Sequence, residues 1–112
     1  MSNTLLIKDK QLKLDKNGYL QELAGWDKAV AEALANKEGL ALGSEHWELI
    51  HLLRNFHQQS GLIPSTRVLV KLIAKEFGEE KGKSAYLMSL FPDAPLKKIC
   101  KIAGLPRPIN CV

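Results

Sequence analysis

Leu49, Leu52, Leu53 and Phe56 recur at i, i+3, i+4 and i+7, and no other feature restricts the fold of this chain as strongly. That spacing puts four large apolar side chains on one face of a helix, and such a face is stable only when something apolar covers it. Ser44 is placed to cap this helix and Gly61 to end it, so the spacing predicts a helix through about Ser60. Trp47 and Ile50 widen its apolar face, which marks it as central.

The same period, punctuated by glycine and proline, returns around it. Trp26, Val30, Ala33 and Leu34 form a stripe with Asp27 as cap and Gly39 as stop. Leu69, Leu72, Ile73 and Phe77 form a third, with Pro64 in its first turn and Gly78 after it. Tyr86, Leu87, Leu90 and Phe91 make a short fourth helix broken by Pro92. Pro95 opens a fifth, carrying Leu96, Ile99, Cys100 and Ala103 at helical spacing and stopped by Gly104. Before all of these, residues 4–7 and 11–14 read as a small hairpin about Lys8-Asp9-Lys10, with a further turn at Asn17-Gly18. Two short strands need support from elsewhere. The expected fold is mainly α: an N-terminal β-hairpin (1–22), a core of about five helices (26–103) and a flexible C-terminal arm (104–112).

A chain of 112 residues makes one domain and buries enough surface to fold without a disulfide or a metal. No apolar run approaches the roughly 20 residues of a membrane span, and the N-terminus lacks a signal-peptide core. A cytoplasmic location is therefore expected, and two cysteines in a reducing compartment point to chemistry more than to stapling. There is no nucleotide-binding loop, no nucleophile motif and no metal-ligand spacing, so neither cofactor nor metal is expected.

The net charge of +4 is unevenly spread. From Lys97 onward the chain has Lys97, Lys98, Lys101 and Arg107 and no acidic side chain, and both cysteines lie in this stretch. Cys100 falls in the last turn of the fifth helix, on its apolar face, where a cysteine also serves as a small buried hydrophobe. Cys111 follows Gly104, Pro106, Arg107 and Pro108. Prolines favour extended backbone, so seven residues from Gly104 carry the thiol about 20 Å from the helix end. A disulfide needs Cα atoms about 5.5 Å apart, which requires the arm to fold back about Gly104. Basic neighbours and exposure raise the thiolate fraction of Cys111, and such a thiolate can take up a sulfane sulfur and release it by exchange.

Several stretches resemble the DsrC/TusE family: NGYL (17–20), EHWELIHLLRNF (45–56), RVLVK (67–71), FGEEKGKSAYLMSLFP (77–92) and, most specifically, the arm KIAGLPRPINCV (101–112). The resemblance spans nearly the whole chain. It implies a helical domain with a helix-turn-helix-like pair, and an arm that inserts into partner proteins. It also implies that Cys111 carries sulfur as a persulfide, and that Cys100 is a second thiol able to share a disulfide or trisulfide with it. The implied partners are sulfur-donor and sulfur-acceptor proteins, either sulfite reductase subunits or relay proteins of the Tus/Dsr type, and the implied role is a sulfurtransferase-type carrier. Cys100 is typical of the sulfite-reductase-associated branch, whereas the GEEKGKS loop resembles the tRNA-thiolation and sulfur-oxidising members. Ala94 stands where the family usually shows glycine, and Ile109-Asn110 where two-cysteine members often read Thr-Gly. Arg67 and Lys71, one turn apart on the third helix, and Lys101 are candidate supporting cations for the arm.

A competing reading is a DNA-binding regulator. The second and third helices have helix-turn-helix spacing, and Arg67, Lys71 and Lys75 form a basic stripe on the second of the pair. That reading implies weak, salt-sensitive DNA binding.

Overall fold

The computed structural model describes residues 3–7, 10–22 and 25–108. Strands β1 (Asn3–Ile7) and β2 (Lys10–Leu14) pair antiparallel, with Leu5 opposite Leu12. The chain then reverses through Asp15–Tyr19. There the Asp15 carboxylate accepts from the amides of Asn17 and Tyr19, and Leu20 bridges back to Leu14. The hairpin has its support: β1 lies against α1 (Lys28–Lys37), and Leu14, Tyr19 and Leu20 are buried in the common core.

Five helices follow in the predicted order: α1, α2 (Ser44–Ser60), α3 (Thr66–Phe77), α4 (Ser84–Leu90) and α5 (Pro95–Ile102). Leu49, Ile50 and Leu53 of α2 are fully buried, and Val30, Leu34, Leu69, Ile73, Leu87, Phe91 and Ile99 complete the layer around them. Leu52, Phe56, Leu72 and Phe77, on the same stripes, are half-buried at its rim. Helix α5 packs on both α1 and α2 and so closes the core.

Four boundaries differ from the sequence reading. Ser44 is inside α2, whose cap is Gly43; the Gly43 amide donates to His46 Nδ1 at 3.1 Å, and His46 Nε2 donates to the Leu90 carbonyl at 2.9 Å. A side chain three residues on thus satisfies the helix end that Ser44 was expected to satisfy. Pro64 precedes α3 and does not lie in its first turn. Ser65 is the cap, its hydroxyl accepting from the Val68 amide at 3.3 Å. Phe91 and Ala103 sit just beyond α4 and α5 as their C-caps. Asp27 caps α1 as expected, accepting from Val30 at 2.9 Å.

Candidate functional site: the end of α5 and the strip beyond it

The end of α5 is where the basic stretch meets the core. Cys100 is wholly buried there among apolar side chains. Burial pushes its thiol up to about 12, because the thiolate would lose its hydration with no cation to replace it. The basic residues flanking it in sequence therefore do not activate it.

Gly104 adopts φ +69° and turns the chain back on itself. The Leu105 amide donates to the Cys100 carbonyl at 2.9 Å, and Leu105 is buried. A Cβ on Gly104 would lie 2.4 Å from Cδ1 of Trp26. Trp26 covers the turn and donates from Nε1 to the Ile102 carbonyl at 2.8 Å. Arg54 of α2 stacks its guanidinium 3.8 Å from the centre of the Trp26 ring and donates to the Ala103 carbonyl. Partial burial lowers its hold on its proton. The strip expected to swing from Gly104 is thus anchored through Leu105. Pro106 and Arg107 are exposed, and Pro108 is buried again. Ile109 to Val112 lie outside the described residues, so the expectations for Cys111 concern a residue three beyond the last one placed.

Two depressions adjoin each other at α3 and α4, and the strip borders the first of them. An apolar groove of about 210 Å³ is lined by Thr66, Ser84, Leu87, Met88, Leu96 and Pro108, among others. Thr66 and Ser84 also line a neighbouring cleft of about 570 Å³, together with Ser65, Arg67, Val70 and Lys71. Arg67 and Lys71 are exposed on α3, so two cations stand beside the groove that Pro108 lines. Lys101, expected to join them, points elsewhere. Its ammonium is 3.3 Å from Glu38 Oε1 and lies over the Tyr19 ring, which ties α5 to α1 and the hairpin.

Sequence reasoning missed Trp26 and Arg54 as site residues. Trp26 read as one member of a helical stripe, and Arg54 appeared only within the stretch 45–56, with no role of its own. Only the fold brings them together over Gly104. Among the described residues no group of histidine, cysteine and carboxylate side chains is placed to hold a metal ion. Nor is any described helix long and apolar enough to cross a membrane.

Fold and site together define a class: a small helical domain whose last helix buries one cysteine and whose basic, proline-spaced strip leads on to another. Comparison with known proteins gives the family. The family model described as DsrC like protein matches residues 6–112. The sulfurtransferase TusE of Salmonella typhimurium is 45% identical over 108 residues, covering 96% of this chain and 99% of that protein. The NMR structure of Allochromatium vinosum DsrC superimposes with a TM-score of 0.91 at 43% identity, over 100% of both chains. The oxidized gamma-subunit of the dissimilatory sulfite reductase (DsrC) from Archaeoglobus fulgidus gives 0.88 at 41%, covering 98% of this chain and 100% of that one. The chain belongs to the DsrC-like family.

Proposed function

We propose that this protein is a sulfur-relay protein with Cys111 as its carrier. The Cys111 thiolate attacks the outer sulfur of a donor protein's persulfide. A new S–S bond forms to that sulfur, the donor's own S–S bond breaks, and the donor thiolate leaves with the electron pair. Handover to an acceptor thiolate is the same exchange with Cys111 as the leaving thiolate, so neither step needs an oxidant or reductant. The partners are accordingly sulfur-donor and sulfur-acceptor proteins, either sulfite reductase subunits or relay proteins like the sulfurtransferases this chain resembles.

The observation that carries this reading is the position of Pro108. It lines a groove whose polar rim, Thr66 and Ser84, is shared with the cleft of Arg67 and Lys71. Three further residues reach about 10 Å, a length that would allow the Cys111 thiolate or persulfide into the field of these two cations, where its ionised form is favoured. Cys100 belongs to the core in this state, and its use as a second thiol requires the end of α5 to open. Incubation with inorganic polysulfide followed by intact-mass measurement tests the assignment. The native chain gains the mass of added sulfur and the Cys111→Ser chain does not; equal loading of that variant refutes the carrier role.

A second reading, DNA binding, draws on the exposure of Arg67, Lys71 and Lys75 along α3. Duplex affinity measured at two salt concentrations tests it, since phosphate contacts must weaken steeply as salt rises.

A further inference from the structure

The carbonyls that end a helix have no partners within it and must find them elsewhere. At the end of α5 every one from Ile99 to Ala103 is satisfied. The Ile99 carbonyl accepts from Ala103, Cys100 from Leu105 and Lys101 from Gly104, all through the backbone. The last two, Ile102 and Ala103, accept from side chains that come from far away in sequence, Trp26 and Arg54. These two donors also stack on each other, and the Trp26 ring leaves no room above Gly104 for even a methyl group. A helix end that simply frays into a tether needs none of this.

From this arrangement we infer that Trp26 and Arg54 are positioning residues for sulfur transfer: together they lock the turn at residues 102–105 and thereby fix the direction in which the Cys111 arm leaves the body. The inference rests on the relay reading for its purpose, though not for its geometry. Leu105 and Pro108 are both buried, so the strip is held at both ends of its described length, and three residues separate Pro108 from Cys111. The strip leaves the turn toward α3 and α4, where Pro108 lines a groove with Thr66 and Ser84. Neither side chain touches the sulfur. Their effect is to hold its root in one place, so that a partner's pocket meets the arm already aimed.

Trp26→Phe keeps the ring under Arg54 and removes the donor to Ile102. Arg54→Met keeps the stem and removes the donor to Ala103. Native-state hydrogen exchange reads the lock directly. Orphaning one buried carbonyl accelerates exchange of the Gly104 and Leu105 amides about tenfold or more. The amides of α3, in the same core, keep their native rates. A uniform acceleration through the whole core would signal lost stability alone and overturn the positioning role.

Aim is read by electron–electron distances between nitroxides on Cys111 and on an introduced Glu32→Cys, in a Cys100→Ala chain. The distance distribution broadens and its mean moves in each variant. An unchanged distribution in folded Trp26→Phe and Arg54→Met chains overturns the inference. If either variant fails to fold, the unaltered chain still decides: a Leu105 amide that exchanges as fast as an open-loop amide refutes the lock. Polysulfide loading separates the two layers. A shifted arm with no sulfur on Cys111 leaves the lock standing and removes the relay; normal loading with an unshifted arm does the reverse.

Discussion

Replacing Gly104 with alanine isolates how tightly the root of the strip is built. Two terms add. At φ +69° an L side chain costs about 1–2 kcal/mol. The new methyl must also occupy a point 2.4 Å from Trp26 Cδ1 and 2.8 Å from Cγ, where no methyl fits. The indole cannot step aside freely, because moving it breaks the bond to the Ile102 carbonyl and unseats Arg54. Overpacking of this kind costs about 1–3 kcal/mol, so Gly104→Ala should lose about 2–5 kcal/mol in all, a large share of the 5–15 kcal/mol typical of a domain. Gly61→Ala is the control. Its φ of +72° is nearly the same, yet a Cβ there meets nothing within 4 Å, so it carries the backbone term alone. Urea unfolding followed by tryptophan fluorescence gives both values. The variants differ by the overpacking term alone, so with a slope of about 1–3 kcal/mol per molar Gly104→Ala should unfold at a midpoint roughly 1 M below Gly61→Ala. Equal midpoints would show that the turn has slack and that Trp26 does not press on it.

Three further outcomes follow from the site. Cys100 should resist iodoacetamide at pH 8 in the folded chain and react once urea is added, as peptide mass mapping would show. Its thiol rises from 9.0 unfolded to about 12 folded. The folded state therefore holds the proton more tightly, and this contribution is intact below pH 9 and is lost as pH climbs from 9 toward 12, at up to about 1.4 kcal/mol per pH unit. Tyr86, also raised to about 12, adds a slope of the same sign from its ordinary 10, so the Cys100→Ala chain is the necessary comparison and should show the shallower alkaline decline. For the cations, Arg67→Gln with Lys71→Gln should move the pH midpoint of Cys111 alkylation upward and slow its loading by polysulfide; an unmoved midpoint would detach the α3 cleft from the carrier thiol.

Much of this was legible from residue types and spacing because the helices are short-range objects. A stripe at i, i+3, i+4 and i+7 and a glycine after it report on their own neighbourhood, and Gly39, Gly61, Gly78 and Gly104 do lie at or just past helix ends with positive φ. The caps were less legible, since Ser44 and Gly43 compete for one position and the winner depends on His46, which is itself held by Leu90 across the fold. The root of the strip was not legible at all. Gly104 followed by two prolines reads as a hinge, and what makes it a fixed turn is an indole 76 residues from Ile102 and a guanidinium 49 residues from Ala103. Lys101 likewise looked like one more cation beside the thiol, but a single turn of α5 rotates it toward Glu38. Cys100 was legible as an apolar-face residue, and its burial decides between the two roles that position allowed.

Pro106 and Pro108 have one more consequence. Along an extended strip, alternate amides face the same side, and these two positions offer none. Over residues 106–108 one edge therefore presents carbonyls only. A strand laid against that edge would find acceptors there and no donors, so this short length is a poor template for sheet growth.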